Sequence, residues 1–114
     1  MGVFIEKKYI YITFDFIGFH NWPEASGESS YLREKHRHVF RGKMLFPVGH
    51  TNRDIEFISL KNEILAFLDT FNQQFGRKSC EDLCELLCIE FANCVQCEIS
   101  EDGENGAVLI RKGV

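Results

Sequence analysis

A change of hydrophobic period part-way along the chain constrains its fold more than any other feature. From Tyr9 to Gly18 the residues alternate: Ile10, Ile12, Phe14 and Phe16 share one parity, Tyr9, Tyr11, Thr13 and Asp15 the other. Successive side chains of a strand point to opposite faces, so this segment reads as a half-buried strand. His36 to Phe46 alternates again, with Phe40, Met44 and Phe46 on one face and Arg37, Arg41 and Lys43 on the other; Pro47 and Gly49 end it. Between the two lies a loop, Asn21 to Ser30, rich in Gly, Ser and Glu with Pro23 near its start. From Glu56 to Phe75 the spacing becomes that of a helix, with Phe57, Leu60, Ile64, Leu68, Phe71 and Phe75 three or four residues apart and Gly76 as the stop signal. Ser79, followed three residues later by Asp82, predicts a capped start to a second helix reaching about Phe91. Val95 to Glu101 and Ala107 to Lys112 read as short strands joined by Gly103-Glu104-Asn105-Gly106, in which Asn-Gly accepts positive φ.

The element order is therefore ββααββ. It predicts an α+β fold, a four-stranded antiparallel sheet with two helices on one face. No repeat, low-complexity tract or linker interrupts it, so residues 1–114 read as a single domain. Eleven Phe supply bulky material for one core without structural disulfides. A net charge of −4, with no basic stripe interleaved with aromatics, argues against nucleic acid. The apolar runs are far shorter than a membrane span and no signal-type segment opens the chain, which makes a cytoplasmic location the default.

The five cysteines all lie between Cys80 and Cys97, so they cannot staple the two halves together. Cys80, Cys84 and Cys88 recur every four residues among Leu83, Leu87 and Phe91, the pattern of a buried stripe of small apolar side chains. A thiolate metal site through Cys94 and Cys97 would lack a second CxxC pair, and a strand would point the two thiols to opposite faces.

The histidines are better placed for a metal. His20 lies four residues after Phe16 and shares its parity; His36 and His38 are two apart and share the face of Phe40 and Met44. If the two strands pair as an antiparallel hairpin, three imidazoles converge. Three neutral imidazoles with an open fourth position suit zinc, and nitrogen donors argue against calcium or magnesium. The competing reading is three polar strand-end residues facing water or satisfied by carbonyls. His50, in a Gly-His-Thr-Asn turn, is expected to be solvent-exposed.

Taken in order, several pieces resemble the family of the 6-pyruvoyl-tetrahydropterin and 6-carboxytetrahydropterin synthases, which has the tunnelling fold. The pieces are Phe16-x-x-x-His20 followed by Asn21, Trp22 and Pro23; His36-Arg37-His38; Glu56-Phe57-Ile58-Ser59-Leu60-Lys61; Ser79-Cys80-Glu81 with Leu83; and the late Glu101. The resemblance implies zinc on His20, His36 and His38, a pterin or purine-like ligand bound by Glu101 and Glu81, Asp69 as a residue of the catalytic apparatus, and a homo-oligomer in which sheets close into a barrel. It also exposes departures. Leu32 stands where the family has its proton-shuttling cysteine, Arg37 replaces a glycine between the two histidines, and Leu68-Asp69-Thr70 lacks the family's proton-transfer imidazole. Glu24, Glu28 and Glu34 are candidate stand-ins for the cysteine. Three function classes follow: a zinc-dependent lyase acting on a dihydroneopterin triphosphate-like substrate, a binding or ligand-sequestering protein that has lost the chemistry, and an oligomeric assembly protein with a structural zinc.

Overall fold

The computed structural model describes residues 7–113. Its fold is α+β. The chain runs β1 (Tyr9–His20), a 3-10 helix (Gly27–Arg33), β2 (His36–Pro47), α1 (Phe57–Asp69), β3 (Gln74–Gly76), α2 (Cys80–Glu90), β4 (Gln96–Glu101) and β5 (Asn105–Ile110). The sheet order is β3-β1-β2-β4-β5, antiparallel except for the β1–β3 pair, which is parallel. No described helix is long and apolar enough to cross a membrane.

β1 and β2 pair along their full length, from Tyr9 opposite Pro47 to His20 opposite His36. This register sets even-numbered residues against even-numbered ones. Ile12 and Phe14 therefore share a face with Phe40, Met44 and Phe46, and α1 and α2 cover that face with Leu60, Ile64, Leu68, Leu83, Cys84 and Leu87. The predicted cap of α2 is present: Ser79 Oγ accepts from the Asp82 amide and the Asp82 carboxylate accepts from the Ser79 amide. At α1, Glu56 occupies the cap position and accepts from the amides of Ile58 and Ser59. Those two bonds hold its carboxyl below the usual range, so this capping contribution is present at neutral pH and fades as pH falls through the lowered value.

Two expectations require correction. The sheet has five strands and is mixed, because the first helix stops at Asp69 instead of continuing to Phe75. Asn72 and Gln73 adopt positive φ of 52° and 65°, the chain reverses, and Gln74–Gly76 lies beside the end of β1. The turn brings Phe75 into the core at 2% exposure, with its ring centroid 5.5 Å from that of Phe16 and 5.2 Å from that of Phe71. Gly18 makes room for it: a Cβ there would sit 2.7 Å from the Phe75 ring. Phe71 and Phe75 keep the helical spacing, yet ring packing outweighs the turns of helix given up. The second correction concerns the β4–β5 turn. Asp102 and Gly103 take positive φ of 57° and 75°, while Asn105 and Gly106 lie within β5 opposite Glu101 and Ser100. Gly106 is needed for closeness, not for turning, since a Cβ there would fall 2.1 Å from the Ile99 carbonyl oxygen.

The β1–β2 pairing also depends on a large residue facing a small one. Phe14 lies opposite Gly42, and a Cβ at Gly42 would be 2.3 Å from the Phe14 ring. Gly42→Ala is expected to destabilise the protein by about 1–3 kcal/mol through overpacking. Urea unfolding measures this, and an unchanged midpoint would mean that the ring relaxes freely.

Candidate metal centre

At one end of the inner sheet face the apolar side chains give way to polar ones. Beyond Phe40 stand His20 at the end of β1, His36 and His38 at the start of β2, and Glu101 at the end of β4, directly opposite Phe40. The three imidazole centroids are 4.6, 5.1 and 5.0 Å apart, and one ring nitrogen from each histidine lies within 4.8 Å of the other two. Phe40, fully buried, forms the floor, with its ring 5.3 Å from His20 and 5.6 Å from His38. The strand parity read from the sequence is what brings the rings together.

The hydrogen bonds behind the rings fix their tautomers. His20 Nδ1 is 2.8 Å from the Lys78 carbonyl, His36 Nδ1 is 2.8 Å from the Glu34 carbonyl, and His38 Nδ1 is 2.7 Å from Asp102 Oδ2. A carbonyl or carboxylate oxygen only accepts, so each Nδ1 carries the hydrogen and donates it. In a neutral ring Nε2 is then a bare lone pair. His20 Nε2 and His38 Nε2 are buried and have no hydrogen-bond partner. An unpaired buried polar atom costs about 1–3 kcal/mol, and a cation shared by these nitrogens removes that cost. Imidazoles with the far nitrogen tied to an oxygen acceptor are the usual ligands of a zinc ion, so the residues present fit one.

Asp102 was not singled out from the sequence, although Asp102-Gly103 is as good a turn signal as the Asn-Gly pair and directly follows Glu101. Its carboxylate accepts from both His38 and the Val39 amide, and its own amide donates to the Val39 carbonyl. The His38 bond first, then the Val39 amide, holds the Asp102 carboxyl below the usual carboxylate range. The Lys78 carbonyl is placed by β3, where Asn21 donates to Gly76 and Lys78 to Phe75. Backbone carbonyls leave no side-chain signature, so neither Lys78 nor Glu34 could be foreseen in this role.

His20 and His36 open onto a cavity of about 460 Å³ whose other walls include Trp22, Leu32, Cys80, Glu81 and Glu101. Leu32 thus faces the same space as His20 and His36. Asp69 does not. It is exposed at the end of α1 and lines a separate groove with Asp15, Leu65, Asn72 and Gln73. The Thr70 hydroxyl donates to the Phe67 carbonyl, and Glu24 pairs with Arg77. Neither Glu28 nor Glu34 is among the residues lining the cavity. His50 is exposed, as expected, and lies 3.2 Å from Asp54.

All five cysteines are free, and four are buried. Cys94 precedes β4, so strand alternation does not separate it from Cys97; both thiols sit in the core. Burial pushes Cys80 and Cys94 up to about 12, which keeps them protonated and poor as ligands.

No protein-family model matches the chain, and no curated protein matches it as a relative. The chemistry of the site therefore rests on its own geometry.

Asp102 supplies the sharpest check on that geometry. Asp102→Ala should lower zinc affinity about 10–100-fold by releasing His38. Competition against a chromophoric chelator reads the change; full-strength binding by the variant would remove His38 from the ligand set.

Proposed function

We propose that this chain binds one zinc ion through Nε2 of His20, His36 and His38, beside a pocket for a small planar heterocycle of pterin or purine type. The observation that carries the reading is the set of three Nδ1 hydrogen bonds, which leaves Nε2 free on each ring, in a cluster where one ring nitrogen of each histidine lies within 4.8 Å of the other two. A bound zinc would supply Lewis-acid polarisation of hydroxyl or carbonyl oxygens. The cavity has the size of a small-molecule site, with Glu81 and Glu101 as its carboxylates and Trp22 as an apolar wall. A carboxylate accepting two N–H donors from a guanidine-like ring edge is the recognition such a pocket offers.

The same reading takes the protein as a divergent tunnelling-fold member, supported by the long β1–β2 pair, the two helices over its inner face and the β4–β5 hairpin. Oligomerisation belongs to it as well. β3 pairs with β1 only at Phe19 and His20, and β5 is an edge strand with Val108 and Ile110 exposed. Pairing these edges between copies would cover them, and light scattering should then give a multiple of the 13.2 kDa chain mass. A clean monomer at micromolar concentration removes the barrel.

We assign no appreciable synthase activity to this chain. Leu32 faces the cavity without a proton to give, Thr70 spends its hydroxyl on the helix end, and Asp69 lies in another groove. Each missing positioned acid–base group costs about 10²- to 10⁴-fold in rate. The alternative of a purely structural zinc in an assembly or ligand-sequestering protein is favoured by the closeness of Glu101 to the ligand nitrogens.

Metal analysis should find one zinc per chain, lost in His36→Ala and retained in Cys80→Ser. Turnover of dihydroneopterin triphosphate should be negligible. Metal content that follows the cysteines would overturn the histidine site; robust turnover by the unaltered chain would replace the binding reading with an enzymatic one.

A further inference from the structure

We infer that Glu101 is the fourth ligand of the metal, so that the ligand-free site is closed, with three nitrogens and one carboxylate oxygen around the ion. The inference rests on the histidine reading above and deepens it. The resemblance alone would make Glu101 an anchor for a ring, but its position says otherwise.

Glu101 lies on the inner face of β4 opposite Phe40, and the next residue, Asp102, is bonded to both backbone polar groups of Val39. The end of β4 is therefore pinned to β2 beside the histidines. Its Oε2 stands 3.1 Å from His20 Nε2 and 3.7 Å from His38 Nε2. Among the described residues no lysine or arginine pairs with it; its ion-pair partners are these two rings. Both rings are committed to donating through Nδ1, so in their neutral form each turns a lone pair toward the carboxylate.

Lone pairs facing a carboxylate oxygen at such distances repel unless a cation lies between them. A proton on one ring would not serve both, because His20 Nε2 and His38 Nε2 are each buried without a hydrogen-bond partner. A metal does. Two donors held about 2.0–2.2 Å from one tetrahedral ion stand roughly 3.3 Å apart. The contacts of Glu101 with His20 and His38, 3.1 and 3.7 Å, fall on either side of that edge length, while His36 makes no such contact with Glu101 and would draw in to complete the set.

A closed site has a functional consequence. A small molecule entering the cavity meets Glu81 as a free carboxylate, and it reaches the ion only by drawing Glu101 away. The metal is then a guarded centre in the resting protein, not an open Lewis acid.

The experiment uses the full chain loaded with cobalt(II), whose visible spectrum reports coordination, and azide as a probe of an open position. The wild-type spectrum should not change on adding azide. In Glu101→Gln and Glu101→Ala, azide should change it, and zinc affinity by chelator competition should fall at least about 100-fold, the upper end of what loss of a histidine-orienting partner costs. If azide alters the wild-type spectrum as it does those of the variants, Glu101 is not a ligand, and this result needs no variant to fold. If affinity is unchanged in both variants, the inference is equally overturned. His36→Ala separates the two levels: cobalt bound by wild type and lost in His36→Ala upholds the histidine site whatever Glu101 does. A wild-type chain that takes up no cobalt overturns both.

Discussion

The antiparallel register of β1 and β2 governs everything else in this protein. Pairing His20 with His36 sets two alternating sequences in phase, so the residues that make the core and those that make the site share one face. A slip of one residue in β2 would send Phe40, Met44 and Phe46 to the outer face and take His36 and His38 with them. Core and site are thus enforced together. The hydrophobic burial of three large side chains, Phe40, Met44 and Phe46, thereby fixes the face on which His20, His36 and His38 lie.

Around that rigid pair, three separate connections orient the three rings. The segment between β3 and α2 offers the Lys78 carbonyl to His20, the loop before β2 offers the Glu34 carbonyl to His36, and the β4–β5 turn offers Asp102 to His38. Each bond removes a rotational freedom that would otherwise be lost on binding an ion, so much of the ordering of the site is completed during folding. Phe40 beneath the rings excludes water from one side and strengthens the electrostatics above it.

The cavity beside His20 and His36 combines apolar walls with two carboxylates and a thiol. Leu32 and Trp22 are apolar walls, Glu81 is a carboxylate on the wall, Glu101 stands against His20 and His38, and the acidic residue that the resemblance would place in catalysis lies elsewhere. Metal-assisted chemistry of the lyase kind needs protons moved at defined atoms. On the cavity wall the proton-bearing and proton-accepting groups include the Glu81 and Glu101 carboxylates and the Cys80 thiol, which burial pushes up to about 12 and so keeps protonated.

What the sequence determined by itself was whatever depends on local periodicity. The period-two alternation of Tyr9–Gly18 and His36–Phe46 specified which side chains share a face, and Ser79 with Asp82 specified where α2 begins, because strand alternation and capping involve residues only two or three apart. The convergence of His20, His36 and His38 followed once those strands paired. Tertiary structure alone decided the rest. Phe71 and Phe75 continue a helical spacing, and only the space over Gly18 turns the second of them into a strand residue. Two turn signals compete between β4 and β5, and the bonds from Asp102 to Val39 and His38 select one of them. Glu101 joins the histidines because β4 docks on β2 with Glu101 opposite Phe40. These outcomes rest on contacts between residues tens of positions apart and on backbone carbonyls common to every residue, and neither leaves a mark in the spacing of side chains along the chain.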